Sequence, residues 1–247
     1  MKIFDSHFHI IDKKFELIPN NGYLPNEFTT TNYLNTIQKY NFCGGVIVSG
    51  SFQAFDTNYI INALNNLGDS YVGVINLKHD TPDEIIVNLN KKRIKAVRFN
   101  LYRGGSESIK FLEVFAHRIF DLCGMHIELY IDNINIKKHY NLLKSLPKIS
   151  IDHLGLTFQD HEYLLKLIEN GANVKATGFM RVDFDVAKML KDIHTINPSA
   201  LMFGSDLPGT RASRTFNKSD IDLIKNNFSI SDQKKIFRDN AIKFYNL

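Results

Sequence analysis

Two hydrophobic periods take turns along this chain. From Lys2 to Ile11 the alternation has period two, placing Asp5, His7 and His9 on one face of an extended segment and Phe4, Ser6 and Phe8 on the other. Asp12 to Phe28 is polar and carries Pro19, Asn20, Asn21, Gly22 and Pro25, a connection longer than most and of the kind that contributes to binding sites. Helical spacing follows over Thr30 to Tyr40, with Tyr33, Leu34, Ile37 and Tyr40 as the apolar positions, and Gly44 to Gly50 then reads as a short buried strand. The pattern continues in alternation. Helices are predicted over Asn58–Leu67, Pro82–Lys92, Ser108–Leu122, Ile136–Leu146, Glu162–Asn170 and Phe184–Ile193. Between them, strands are predicted over Tyr71–Leu77, Ile94–Leu101, His126–Ile131, Lys148–His153, Asn173–Gly178 and Ala200–Asp206. Helices over Asp220–Asn227 and Asp232–Tyr245 end the chain.

About eight strand–helix repeats with no Gly/Ser-rich linker predict one domain over 1–247, a (β/α)8 barrel with an extra C-terminal helix. A doubly wound open sheet would ordinarily place a glycine-rich turn after its first strand, where this chain has His7-Phe8-His9.

Composition narrows the partners. A hydrophobic fraction of 44% and a charged fraction of 23% are ordinary for a globular enzyme, and the formal charge of +4 is spread thinly. No basic block or finger-like spacing points to nucleic acid, and no apolar run is long enough to cross a bilayer. Cys43 and Cys123 are too few for a disulfide scaffold or a thiolate metal cluster. With no signal-peptide pattern at the start, a cytoplasmic setting is expected; oligomeric state is left open, a homo-oligomer included.

In a barrel of this type the C-terminal strand ends form the active face. Those ends carry His7 and His9, Ser49, Asn76, Arg98 with Asn100, Tyr130 with Asp132, His153, Lys175 with Thr177, and Asp206. A His-x-His on a strand can bring two imidazoles to one point, as a metal or polar substrate requires, though such histidines also serve as plain hydrogen-bonding residues. His153 closes an apolar strand just before Gly155. Asp206 lies where the eighth strand returns to the first, with Gly204 expected to leave room beside its carboxylate. Asp206 suits a cation ligand or a general base for water; the bland alternative is an N-cap or a partner for Arg211 or Arg214.

Taken together, His7-x-His9, Ile151-Asp152-His153-Leu154-Gly155, Gly204-Ser205-Asp206-Leu207-Pro208 and Asn240-Ala241 resemble the amidohydrolase superfamily. Within it the chain is similar to the amidohydrolase-2 branch that contains 2-pyrone-4,6-dicarboxylate lactonase and the sugar lactonases. Ala96–Asn100, Val174–Gly178 and Arg181 match that branch as well. The resemblance implies that His7, His9 and His153 are the site histidines and that Asp206 activates water. It implies that Arg98, Asn100 and Arg181 face the substrate, with Ser49 and Tyr130 as further polar contacts. The arginine that this branch carries soon after the sixth-strand histidine is Leu156 here, and Arg211 and Arg214 in the last loop either replace it or are solvated loop charge.

The implied activity is hydrolysis of a lactone or similar cyclic ester of a small acidic or sugar-derived molecule. His7, His9, His153 and Asp206 would also be able to hold one divalent ion, zinc or manganese, with the need for it in turnover left open. The competing expectations are a metal-dependent decarboxylase of the same branch, a TatD-like metal nuclease, and a barrel that only binds a small acid. Val97-Arg98-Phe99-Asn100 stands where the nuclease would carry a metal-bridging acid.

Overall fold

A computed structural model describes residues 1–247. Its strands are β1 (Ile3–Phe8), β2 (Phe42–Val48), β3 (Tyr71–Ile75), β4 (Ile94–Asn100), β5 (His126–Tyr130), β6 (Ile149–Ile151), β7 (Asn173–Ala176) and β8 (Leu201–Phe203). Between them run α1 (Thr30–Ile37), α2 (Asn58–Leu67), α3 (Asp83–Lys91), α4 (Leu112–Cys123), α5 (Asn133–Lys138), α6 (Tyr140–Ser145), α7 (His161–Glu169) and α8 (Val186–Ile196). The chain ends with α9 (Lys218–Asn227), α10 (Ile230–Lys234), a π turn at Lys235–Asp239 and α11 (Asn240–Tyr245). The strands form one parallel sheet in sequence order, the (β/α)8 barrel with a C-terminal extension.

β8 meets β1 through two backbone hydrogen bonds, Asp206 N to His7 O at 2.8 Å and His9 N to Leu207 O at 2.7 Å. Gly204 makes this approach possible. A Cβ there would lie 2.8 Å from His7 N and 2.9 Å from His7 Cβ. Its role is therefore the junction with β1 and not, as the sequence suggested, space beside Asp206.

Strand alternation divides the side chains into two sets. Outward-facing residues such as Ile47, Ile75, Val97, Leu129 and Val174 belong to a 50-residue apolar cluster between sheet and helices. Inward, the lower barrel holds Phe4, Val46, Val48, Val72, Val74, Ala96 and Met202, closed from below by Ala241, Phe244 and Tyr245 of α11. Above that apolar plug the inward positions become charged: Arg98, Glu128, Asp152 and Lys175, all buried.

Two local readings change. β1 is irregular, with register shifts on both sides of Asp5, so the predicted common face of Asp5, His7 and His9 does not form. Asp5 instead accepts hydrogen bonds from Tyr33 Oη of α1 and from the backbone and side chain of Ser205. The helix expected over Ile136–Leu146 breaks at His139 into α5 and α6; α5 starts earlier because the Asp132 side chain caps Asn135 N.

Candidate active site

His7 and His9 enter the barrel from the end of β1, and each imidazole is oriented by its inner nitrogen. His9 Nδ1 lies 2.7 Å from Val48 O, an acceptor only, so Nδ1 carries the proton and Nε2 presents a lone pair. His7 Nδ1 faces Asp152 Oδ1 at 3.3 Å and Glu128 Oε1 at 3.5 Å, which draws its proton inward and leaves Nε2 facing Asp206. Asp206 approaches from the end of β8 with φ 58°, a left-handed conformation that is unfavourable for a non-glycine residue and concentrates at functional positions. Its Oδ2 accepts a 2.6 Å hydrogen bond from Arg181 Nε. Its Oδ1 has no partner and stands 3.7 Å from His9 Nε2 and 3.9 Å from His7 Nε2.

His153 follows β6 in a run of left-handed residues, φ 50° at His153 and 56° at Leu154. Gly178, with φ 63°, lets that ring in: a Cβ there would collide with His153 Nδ1. The His153 and His7 rings are 4.9 Å apart.

Electrostatics follow from burial and pairing. Burial pushes the His9 imidazole down to about 4 and that of His153 well below its ordinary range, so both are neutral near pH 7. For His7, burial also lowers, but the Asp152 carboxylate outweighs it and the net direction is up. Burial would raise the carboxyl pKa of Asp206; Arg181, His153, His9 and His7 reverse this and hold it far below the usual carboxylate range. Asp152 behaves alike, with His7 and Arg98 overcoming its burial.

Beneath the histidines lies a buried ionic layer. Arg98 Nη2 donates to Asp152 Oδ2 at 2.7 Å, and Lys175 Nζ pairs with Glu128 and stands 3.4 Å from His7 Nδ1. Lys175 and Asp152 were visible only as strand-end residues, and Glu128 gave no signal beyond its inward parity in β5.

The mouth is a cavity lined by His9, Ser51, Arg98, Asn100, Arg103, Tyr130, His153, Arg181 and Arg211, among others. Two of the expected contact residues lie elsewhere. The Ser49 hydroxyl hydrogen-bonds Tyr59 Oη at 2.6 Å on the outer side of β2. Arg214 is exposed and pairs with Asp220 at the start of α9. Arg103, absent from the expected set, is present because β4 turns back after Asn100, whose Oδ1 accepts from Arg103 N at 2.9 Å.

The donor set fits a divalent ion. His7 Nε2, His9 Nε2 and Asp206 Oδ1 converge, and two of these three atoms have no hydrogen-bond partner despite burial. The carboxylate oxygen, 3.7 and 3.9 Å from the two imidazole nitrogens, stands only slightly farther than the ~3.4 Å expected between ligands of tetrahedral zinc with bonds near 2.05 Å.

The amidohydrolase family profile matches residues 4–247. No curated protein matches the sequence. Among solved structures, an Acinetobacter baumannii protein provisionally named a 2-pyrone-4,6-dicarboxylic acid hydrolase, with citric acid bound, superposes with a TM-score of 0.86 at 22% identity, covering 100% of both chains. An Agrobacterium tumefaciens protein in its apo form gives 0.88 at 16% identity over 99% of this chain and 96% of its own. A Pseudomonas putida protein with the same provisional name as the first gives 0.81 at 21% identity, over 99% and 97%. At these identities the structural likeness speaks for the fold.

Proposed function

The chain belongs to the amidohydrolase family, an enzyme family, and from that premise we propose that it hydrolyses a lactone or similar cyclic ester of a small acidic molecule. The observation that carries this reading is Asp206: an ionised carboxylate with one oxygen locked by Arg181 and the other unpartnered, facing two imidazole nitrogens. A water between Asp206 Oδ1 and the Nε2 atoms can donate one proton to the carboxylate and be aimed at a carbonyl in the cavity. Attack forms the new C–O bond as the water proton passes to Asp206. Collapse of the tetrahedral intermediate breaks the ring C–O bond, and Asp206 returns its proton to the departing ring oxygen.

His153 and Tyr130, which line the cavity, are placed to stabilise the developing oxyanion. His7, His9 and Asp206 are the residues that would hold a divalent ion, zinc or manganese, which when bound supplies Lewis-acid polarisation and a more acidic water. Asp152 keeps the His7 proton inward in either case.

The test is a panel of carboxylated and neutral lactones, followed by proton release, with carbon dioxide measured alongside to detect decarboxylation instead. Asp206→Asn removes the proton acceptor while preserving size, and turnover is expected to fall about 10³-fold, within the range for general-base loss. Turnover within tenfold of wild type would eliminate Asp206 as the base.

A further inference from the structure

The chain has eight arginines, and six of them stand within 4.0 Å of an aspartate: Arg93, Arg98, Arg118, Arg181, Arg214 and Arg238. The other two, Arg103 and Arg211, have no carboxylate in that range, and both line the cavity at the barrel mouth. No aspartate or glutamate lines that cavity. The charges of Arg98 and Arg181 are already balanced, by Asp152 at 2.7 Å and Asp206 at 2.6 Å. Asp206 and Asp152 thus cancel the arginines that first look suited to an acidic substrate. What remains uncompensated is the outer pair.

That pair is built into place. Asn20, from the long loop after β1, bridges them: its Nδ2 donates to Arg103 O at 3.2 Å, while Arg211 Nη2 donates to Asn20 O and to Asn20 Oδ1 at 3.2 Å. Arg103 Nε donates to Tyr130 Oη at 3.3 Å, and the Arg211 guanidinium lies 4.4 Å over the Tyr23 ring. Arg211 also has a left-handed φ of 60°, a conformation of the kind retained at ligand clamps. Two like charges held side by side on separate loops gain most when an anion joins them. Burial and the nearby Arg103 both lower the pKa of Arg211, consistent with that juxtaposition.

We infer that Arg103 and Arg211 form a two-guanidinium clamp for a substrate carboxylate at the outer end of the cavity. On this reading they, and not Arg98 or Arg181, supply the net charge that selects an acidic substrate. The inference rests on the site being that of a hydrolase for small acidic molecules, and it names where one carboxylate of that molecule sits. It also assigns to the last loop the work of the arginine replaced by Leu156.

Citrate serves as the probe, with its affinity measured by calorimetry for wild type, Arg103→Met, Arg211→Met and the two lysine replacements, all checked for intact folding by thermal melting. Each methionine variant is expected to bind citrate at least tenfold more weakly, with partial recovery in the lysine variants. Citrate affinity within twofold of wild type in both methionine variants overturns the clamp, as does absence of citrate binding by the wild type. The lactone panel separates the two readings. If no lactone turns over but citrate binding still depends on both arginines, the hydrolase reading fails and the clamp stands. If neutral and carboxylated lactones lose turnover equally in the methionine variants, the clamp fails and the hydrolase reading stands.

Discussion

Replacing Lys175 by methionine tests the buried layer below the histidines. Lys175 and Glu128 are both fully inaccessible, and the other donors near Glu128 are Tyr245 Oη at 3.3 Å and His7 Nδ1 at 3.5 Å. Removing the ammonium leaves a buried carboxylate without its directly paired counter-charge, beside a second carboxylate, Asp152, 4.0 Å from Lys175. Breaking one side of such a pair costs about 3–5 kcal/mol, a large share of the ~5–15 kcal/mol stability of a typical domain. With a urea m-value near 3 kcal/mol/M, the midpoint should fall by about 1–1.7 M. The double variant Lys175→Met/Glu128→Leu removes both charges, fills the space with apolar volume, and should recover at least half of that loss. Equilibrium urea unfolding of wild type, both single variants and the double closes the cycle. A Lys175→Met protein as stable as wild type, or a double variant less stable than either single, would refute the charge-compensation argument. The double should also lose activity despite its recovered stability, because His7 Nδ1 then keeps Asp152 but not Glu128 or Lys175 as neighbours.

Two further outcomes follow from the same physics. Gly178→Ala should lower turnover with little change in substrate affinity, since its Cβ displaces the His153 ring and the residue must hold φ 63°; steady-state kinetics showing unchanged kcat would count against a role for His153 at the mouth. Acid should destabilise the protein between pH 6.5 and about 4, measured as urea stability at stepped pH. Folded His9, with its pKa near 4, and His126 and His153, both lowered by burial, refuse protons that the unfolded chain takes near 6.5. Asp5, raised to about 6 by burial despite its hydrogen bonds, opposes one of them below pH 6 because it binds its proton more tightly when folded. Three protons less one leaves about two, or roughly 3 kcal/mol per pH unit, with stability falling as pH falls. A flat profile, or an unchanged slope in His126→Phe, would contradict this.

The architecture was legible because helical and strand periods alternate without a break, and because strand parity alone places Arg98, Glu128 and Lys175 inward. His7, His9, His153 and Asp206 were legible as polar residues at the end of apolar strands, and the fold brings them together. What parity could not show was the irregularity in β1, where two register shifts turn Asp5 away from the site. Nor could it distinguish Arg103 and Arg211 from Arg214: all three are loop residues, but the first two meet Asn20 of a distant loop while Arg214 pairs locally with Asp220. The balance of charge was hidden for a similar reason. Arg98 and Arg181 read as substrate contacts until their aspartate partners, 54 and 25 positions away, came into view.

The junction of β1 with β8 has a consequence for how the enzyme comes into being. His7 and His9 lie at the end of β1 and Asp206 follows β8, and the hydrogen bonds that close the cylinder run through His7, His9 and Asp206 themselves. A partly folded chain can have most of its helices and strands and still hold these three side chains apart. Their convergence arrives only with the closing of the barrel.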